Sequence, residues 1–179
     1  MNRVRACAEP DIASILGIIN AAAQAYRGVI PPDCWHEPYM SEAQFRRDLN
    51  AGVEFWGYEI DGNLVGVMGI QRVHEVELIR HAYVLPGSQR LGVGGILIDH
   101  LLRQSARRML VGTWADASWA IEFYRRHGFD LVTSQSRKDE LLKTYWTIPD
   151  RQIETSVVLE LNSQRGASSR TMRAAMSRC

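Results

Sequence analysis

The chain has 179 residues, about the length of one ordinary domain, and 46% of them are apolar and 23% charged. This composition is typical of a globular protein with a buried core and excludes a disordered chain. Lys and Arg number 21 against 20 Asp and Glu, and no basic stretch is interleaved with aromatic residues, so we expect no nucleic-acid partner.

The first fifty residues predict two helices separated by a loop. After a short extended run over residues 4–8, apolar side chains recur at helical spacing over residues 10–26. Residues 27–40 contain three prolines and several aromatic side chains, which favours an irregular loop. Ser41 followed by Gln44 is typical of a capping box and predicts a second, short helix.

The middle of the chain predicts a hairpin, a long strand and a helix. Alternating apolar residues over 55–60 and an apolar run over 64–70 flank the turn Asp61-Gly62-Asn63, a pattern typical of a β-hairpin. A further strand is predicted over residues 76–85. Beyond it, one apolar face and several arginines near its end predict a helix over residues 92–108.

The last elements alternate between strand and helix. A short strand is predicted over residues 109–113, a helix over 118–127 and extended structure over 129–133, and this alternation predicts a parallel pair of strands here. Residues 136–149 are charged and aromatic, so we expect a long connection. Alternating apolar side chains over residues 153–161 predict a closing strand.

These elements indicate one α+β domain over residues 1–161, followed by a polar, mobile tail over residues 162–179. The three cysteines lie far apart without a Cys-x-x-Cys pair, which argues against a disulfide framework and a zinc site and favours a cytoplasmic protein. The five histidines form no pair at helical spacing, so we expect no metal. No apolar run has the length of a signal peptide or a membrane span.

A glycine-containing turn lies between the strand over 76–85 and the helix that follows. Its sequence is Gln89-Arg90-Leu91-Gly92-Val93-Gly94-Gly95. The first N–H groups of a helix have no partner inside it and the helix dipole is positive there, so such a turn can hold a phosphate. Neither a P-loop nor a dinucleotide fingerprint is present. Ordinary turn formation is the alternative interpretation of these glycines.

Three segments in chain order carry a resemblance to a known family. They are Ala82-Tyr83-Val84-Leu85-Pro86, then Gln89-x-x-Gly92-x-Gly94, then Ala120-Ile121-Glu122-Phe123-Tyr124 with Gly128-Phe129. In these segments the chain resembles the GNAT superfamily of acetyl-CoA-dependent N-acetyltransferases. The resemblance implies a mixed, largely antiparallel sheet flanked by helices. It also implies a parallel strand pair, the first strand ending at Val84 and the second beginning near Met109, that splays apart at the cofactor site.

The resemblance further implies a cofactor site made mainly by the main chain. Groups of the first segment would bind the pantetheine amides and acetyl oxygen of acetyl-CoA, and the amides after Gln89 would bind its pyrophosphate. The implied cofactor-binding residues are Ala82, Tyr83, Val84, Gln89, Arg90, Leu91, Gly92, Val93, Gly94 and Gly95. Many relatives have an asparagine where this chain has Ala117, so the contact of that side chain is either absent here or made by Asp116 or Ser118.

Acetyl transfer from a thioester to an amine needs a base, an oxyanion donor and a proton for the departing thiolate. Tyr124 resembles the family residue near the coenzyme sulfur and is the candidate acid, with a core aromatic as the alternative. A strand N–H near Val84 is the candidate oxyanion donor. His81 and Glu77 are the candidate bases. His81 ranks first because histidine titrates near neutral pH. A water relay, or a structural role for both residues, is the alternative.

The implied function is N-acetylation of a primary amine on a small molecule or peptide, by direct attack in a ternary complex. A non-catalytic acyl-CoA-binding sensor or interaction module on the same fold is the alternative. The acceptor itself stays open, and a homodimer is common in such folds. Aromatic side chains in two predicted connections are candidates for the wall of the acceptor pocket. They are Trp35, His36, Tyr39, Tyr145 and Trp146.

Overall fold

Helices and strands follow one another closely in the computed structural model, which describes residues 2–162. The regular elements are β1 (Arg3–Ala6), α1 (Ile12–Ala23), α2 (Glu42–Asn50), β2 (Val53–Ile60), β3 (Asn63–Val73), β4 (Val76–Val84), α3 (Val93–Gln104), β5 (Arg108–Trp114), α4 (Ser118–Arg126), β6 (Phe129–Leu131), α5 (Gln135–Tyr145), α6 (Asp150–Glu154) and β7 (Ser156–Leu161). Apart from Asn162, the predicted tail over residues 162–179 lies outside the described residues.

The strands form one seven-stranded sheet in the order β1-β2-β3-β4-β5-β7-β6. Every neighbouring pair is antiparallel except β4 and β5, which are parallel. The predicted hairpin is formed by β2 and β3, which pair up to Ile60 and Asn63 on either side of the turn. A mixed, largely antiparallel sheet with one parallel pair is therefore confirmed.

The parallel pair expected among the last elements is wrong. The closing strand β7 inserts between β5 and β6, and Glu160 of β7 lies opposite Leu110 of β5 on one side and Asp130 of β6 on the other. The two outer strands run in the same direction but do not touch. The order of elements along the chain predicted their direction, but a later strand occupies the position between them.

The expected connection over residues 136–149 is also wrong, because most of it forms helix α5. The Ser134 hydroxyl caps this helix by accepting a hydrogen bond from the Arg137 amide at 3.4 Å. Only Leu141, Leu142 and Lys138 are buried on it, so its apolar face is too narrow to give a periodic signal. The Lys138 ammonium donates to the Ile153 carbonyl at 2.7 Å, which joins α5 to α6.

Several predicted ends shift by a few residues. Helix α3 ends at Gln104 and not at residue 108, which instead begins β5. Residues 150–154 form α6, so the closing strand begins at Ser156 and not at residue 153. At α2 the predicted cap is confirmed, because the Ser41 hydroxyl accepts from the Gln44 amide at 3.2 Å.

Helices cover both faces of the sheet. Val67 of β3 packs with Ile15 of α1, whereas its neighbour Met68 packs with Leu97 of α3 on the opposite side. Leu78 of β4 lies on the same face as Val67 and packs with α5. We call the face covered by α1, α2 and α5 face A, and the face covered by α3 and α4 face B.

Candidate active site

The parallel strands separate halfway along their length. β4 and β5 pair only from Val76 opposite Arg108 to Ile79 opposite Val111. Beyond this point β4 continues to Val84 and β5 pairs only with β7. A cavity of about 1090 Å³ lies at the separation and is lined by the ends of both strands. The splayed pair expected from the resemblance is present.

A β-bulge lies in β4 at the start of the separation. Tyr83 pairs with Val67 and Arg80 pairs with Gly69, so both His81 and Ala82 lie opposite Met68. His81 has a positive φ of 51°. Such an extra residue bends a strand and leaves local main-chain groups unpaired.

The bulge allows two successive side chains to reach the same side of the sheet. Arg80 and His81 both contact Asp48 of α2, on face A. After the bulge, Tyr83 packs with the face A core, whereas Ala82 and Val84 pack with the face B core. The end of β4 that no longer pairs with β5 therefore presents side chains to both halves of the cavity.

The N-terminus of α3 forms the face B end of the cavity. Arg90 and Gly92 both have positive φ, 68° and 78°, and turn the chain into the helix. The Ile96 amide makes the first helical bond, to the Gly92 carbonyl at 3.0 Å. The amides of Val93 to Gly95 consequently have no acceptor within the helix and line the cavity. This is an anion-binding arrangement.

Two of the turn glycines serve helix packing. A Cβ on Gly94 would lie 3.2 Å from the Phe123 ring, and one on Gly95 would lie 3.3 Å from the His127 ring. Gly92 has open space around it, and its left-handed backbone explains the glycine there. The motif thus combines one turn glycine with two that let α3 and α4 pack closely.

Nearly all the predicted cofactor-binding residues line the cavity. They are Ala82, Tyr83, Val84, Gln89, Arg90, Gly92, Val93, Gly94 and Gly95. Leu91 does not line it and has 64% of its surface exposed. The Gln89 side-chain amide donates to the Val84 carbonyl at 3.3 Å, which ties the turn to the end of β4.

Tyr124 of α4 lines the cavity from face B. Its ring packs edge-on against Phe123 and Phe129, with centroids 5.1 and 5.8 Å away. Burial raises the pKa of the phenol well above its ordinary value, so the hydroxyl keeps its proton at neutral pH. It can donate a hydrogen bond or a proton to a group in the cavity.

His81 lines the cavity from face A and is held by a carboxylate. Its Nε2 lies 2.9 Å from Asp48 Oδ2, and its ring stacks on Phe55 at 5.7 Å. Burial lowers the pKa of His81, and the hydrogen bond to Asp48 opposes this effect. The imidazole is therefore neutral at pH 7.

The Asp48 carboxylate is ionised. Burial alone would raise its pKa, but the hydrogen bond from His81 and the charge of Arg80 outweigh burial and hold the pKa below its usual value. An ionised carboxylate only accepts hydrogen bonds. The proton shared with Asp48 accordingly belongs to His81 Nε2, and Nδ1 is the nitrogen that can accept another proton.

Glu77, the second candidate base, lies away from the cavity. It is 3% exposed, its Oε1 accepts from Arg72 Nε at 3.1 Å, and its Oε2 has no partner among residues 2–162. It belongs to the paired part of β4, opposite Met109. This placement disfavours a catalytic role for Glu77, because no substrate in the cavity would reach it.

The predicted aromatic wall forms in part. His36, Tyr39 and Trp146 line the cavity. Trp35 instead packs behind Tyr39, with ring centroids 5.6 Å apart. Tyr145 points away and donates a hydrogen bond to Glu75.

Ala117 marks the departure from the family pattern. It is fully buried beside Trp114 and Ile30, does not line the cavity, and provides no side-chain cap to α4. No side-chain amide is available at this position.

Several lining residues had no signal in the sequence. Tyr26 and Trp119 pack together at 5.5 Å, and Arg151 pairs with Asp33 at 2.8 Å across 118 positions of the chain. Asp48 looked like an ordinary polar helix residue. Its position between the apolar residues Phe45 and Leu49 was the available hint that it is buried, but nothing indicated His81 as its partner.

Residues 2–162 contain no clustered metal ligands and no helix of membrane-spanning character. No group of three or more His, Cys, Asp or Glu side chains there is arranged to hold a metal ion. None of the helices in that range has the length and apolar character needed to cross a membrane.

Comparison with protein families matches residues 51–131 to an acetyltransferase (GNAT) domain. This range runs from the start of β2 to the end of β6 and contains the bulge, the turn before α3 and the helix bearing Tyr124. The resemblance carried by the three sequence segments is confirmed.

Solved structures with a similar fold include several acetyltransferases. A GNAT-family acetyltransferase from Staphylococcus aureus Mu50 has a TM-score of 0.66 at 17% identity, over 90% of this chain and 99% of that one. PaiA N-acetyltransferase from Thermoplasma acidophilum, in complex with coenzyme A, has a TM-score of 0.66 at 14% identity, over 90% and 99%. The ribosomal-protein-S18-alanine N-acetyltransferase of Escherichia coli has a TM-score of 0.63 at 18% identity, over 90% and 93%. At such identities the likeness concerns the fold.

Proposed function

Since residues 51–131 match an acetyltransferase (GNAT) domain, we propose that this chain transfers an acetyl group from acetyl-CoA to a primary amine by direct attack in a ternary complex. One observation carries the proposal. The cavity between β4 and β5 has the N-terminus of α3 at its face B end and the His81–Asp48 pair on face A. A donor and an acceptor entering from opposite faces would meet at the strand separation.

The face B half fits acetyl-CoA. The free amides of Val93, Gly94 and Gly95 are placed to hold a pyrophosphate, and the unpaired edge of β4 from Ala82 to Val84 offers main-chain groups to the pantetheine amides. Acetyl-CoA supplies the thioester. The main chain positions its carbonyl beside the bulge, where an N–H near Val84 stabilises the developing oxyanion.

His81 acts as the base in this proposal. Its neutral imidazole accepts a proton at Nδ1 from the acceptor amine, while Asp48 holds Nε2 and fixes the tautomer. Tyr124 acts on the other side of the sheet. Its phenol stays protonated and donates to the departing thiolate.

The alternative is a module that binds acyl-CoA and does not turn it over. It predicts the same cofactor affinity and no release of coenzyme A. His81 is paired with Asp48 and lines the cavity. This arrangement argues for catalysis, since a sensor has no need of a base next to the strand separation.

Both proposals are tested by one pair of measurements. Acetyl-CoA binding is measured by isothermal titration, and free coenzyme A is then followed with a thiol reagent across a panel of primary amines, for the wild type and Tyr124→Phe. We expect micromolar binding and turnover that falls in the variant. Binding without turnover across the panel would favour the sensor, and absence of binding would refute both.

A further inference from the structure

Aromatic rings line the face A half of the cavity. Tyr26, Tyr39 and Tyr83 form a mutually packed group with ring centroids 5.8, 6.3 and 6.5 Å apart. Trp146 comes from the β5 side and lies over Gly112, where a Cβ would be in ordinary contact with its ring at 3.5 Å. Aromatic side chains therefore form two walls of this half of the cavity.

The tyrosines of this half are uncharged at neutral pH. Burial raises the pKa of Tyr26 to about 12, and burial likewise raises the pKa values of Tyr39 and Tyr83. The Tyr39 hydroxyl accepts a hydrogen bond from the Trp114 indole at 2.9 Å. Ring faces carry partial negative charge and attract both other rings and cations.

Formal charges in the described part of this lining are already paired. Asp33 pairs with Arg151 at 2.8 Å. Asp48 binds His81 at 2.9 Å and lies 3.5 Å from Arg80, which also donates to Gln71 at 2.6 Å. A polyamine would require further carboxylates for its second ammonium group, and an amino acid would require a free cation for its carboxylate. This half offers neither.

The aromatic rings lie a short distance from the proposed base. His81 and Tyr83 are two positions apart on β4 and both reach face A. Two strand residues span at most about 6.5 Å, so one small molecule with a short linker can place a ring near Tyr83 and an amine near His81.

We propose that the acceptor is a small monoamine carried by an aromatic ring, with the ring between the tyrosines and Trp146 and the amine at His81. This inference rests on the proposed acetyl transfer and names its substrate class. The acceptor amine loses one proton to His81, its nitrogen forms a bond to the acetyl carbon, and the carbon–sulfur bond of acetyl-CoA breaks as Tyr124 gives its proton to the departing thiolate. Solvent then carries the proton from His81 back to Tyr124.

The first test compares matched amines. We expect kcat/KM for 2-phenylethylamine to exceed that for 2-cyclohexylethylamine by roughly three- to tenfold, since ring–ring contacts contribute beyond area alone. Spermidine and lysine should be poorer still. Binding of each amine to the protein loaded with coenzyme A is measured by titration calorimetry, so that affinity is read independently of turnover.

The second test uses variants of Trp146. Trp146→Ala should weaken 2-phenylethylamine binding about tenfold and leave acetyl-CoA binding unchanged, whereas Trp146→Phe should retain most of it. Trp56→Ala is the matched control, because Trp56 packs on His100 outside the cavity and its loss should not alter amine affinity.

The outcomes separate the two proposals. Equal affinity for the phenyl and cyclohexyl amines, or a higher kcat/KM with spermidine or lysine, would overturn the aromatic acceptor while acetyl transfer stands. Failure to bind acetyl-CoA would overturn acetyl transfer. In that case, phenylethylamine binding that Trp146→Ala abolishes would still support the aromatic site, and absence of such binding would overturn it.

Discussion

The two halves of the cavity are built in different ways. The face B half takes most of its lining from one stretch, between Ala82 and Gly95, with Phe123 and Tyr124 added by α4. In the proposed function it binds its substrate mainly through main-chain groups. The face A half collects side chains from distant parts of the chain, among them Tyr26, Asp48 and Trp146. A site made of backbone tolerates changes of side chain, whereas one made of packed side chains changes with each substitution. The first half suits an invariant substrate, the second a variable one.

The largest effect is expected at His81. His81→Ala removes the proposed base, so kcat/KM should fall by about 10²- to 10⁴-fold, with acetyl-CoA affinity unchanged because the other half is intact. Steady-state kinetics and titration calorimetry measure the two effects. His100→Ala is the control, since His100 lies on α3 outside the cavity. Equal activity of the two variants would remove His81 from the mechanism.

At Gly92 we expect the opposite result, a loss of acetyl-CoA affinity. Gly92→Glu forces a side chain into a left-handed conformation, which costs about 1–2 kcal/mol, and places a negative charge at the proposed pyrophosphate site. Acetyl-CoA affinity should fall at least about tenfold. Gly62→Glu is matched, because Gly62 also has a positive φ, 85°, and open space around it, but lies in the β2–β3 turn. If both variants bound acetyl-CoA equally, the face B half would not be the donor site.

A smaller effect is expected from Asp48→Asn. The base must be neutral, so kcat/KM rises with pH through the His81 pKa, which burial places below 6.5. The Asp48 hydrogen bond raises that pKa, so its removal should move the acid limb to lower pH. Activity at neutral pH should fall about tenfold, the equivalent of one charge-assisted hydrogen bond.

The control for this pH profile is Asp33→Asn, which removes the other lining carboxylate. It should leave the acid limb in place, because Asp33 pairs with Arg151 and does not contact His81. An unmoved limb in Asp48→Asn would mean that the titrating group is not His81.

The smallest effect is expected at Leu91. Its side chain is exposed and does not line the cavity, so Leu91→Ala should change the acetyl-CoA dissociation constant by less than about twofold. Titration calorimetry measures this value directly. A large loss would mean that the turn binds through side chains and that the contrast between the two halves is wrong.

The face B half was accessible to sequence reasoning because its physical requirements are local. A positive φ at Gly92 and unpaired amides at a helix start arise within one turn of chain. The cavity-lining part of β4 lies just before this turn. Most strands were likewise predictable, since alternation of apolar residues depends on neighbours in the chain.

The face A half was not accessible, because its contacts join distant residues. Asp48 and His81 are 33 positions apart, and Asp33 and Arg151 are 118 apart. The facing of His81 depended on the bulge, which adds one residue to the strand. The position of Glu77 depended on how far β4 and β5 stay paired. Helix α5 was missed for a related reason. Its burial rests on few side chains and on one Lys138 hydrogen bond to another helix.

His81 is the extra residue of the bulge in β4. A chain without it would pair Ala82 with Met68 in regular register, and Tyr83 and Val84 would keep their present partners. Gain or loss of a single codon would therefore add or remove the proposed base while leaving the proposed acetyl-CoA half intact. On this fold, a protein that binds the coenzyme without catalysis and an active enzyme can differ by the insertion of one residue.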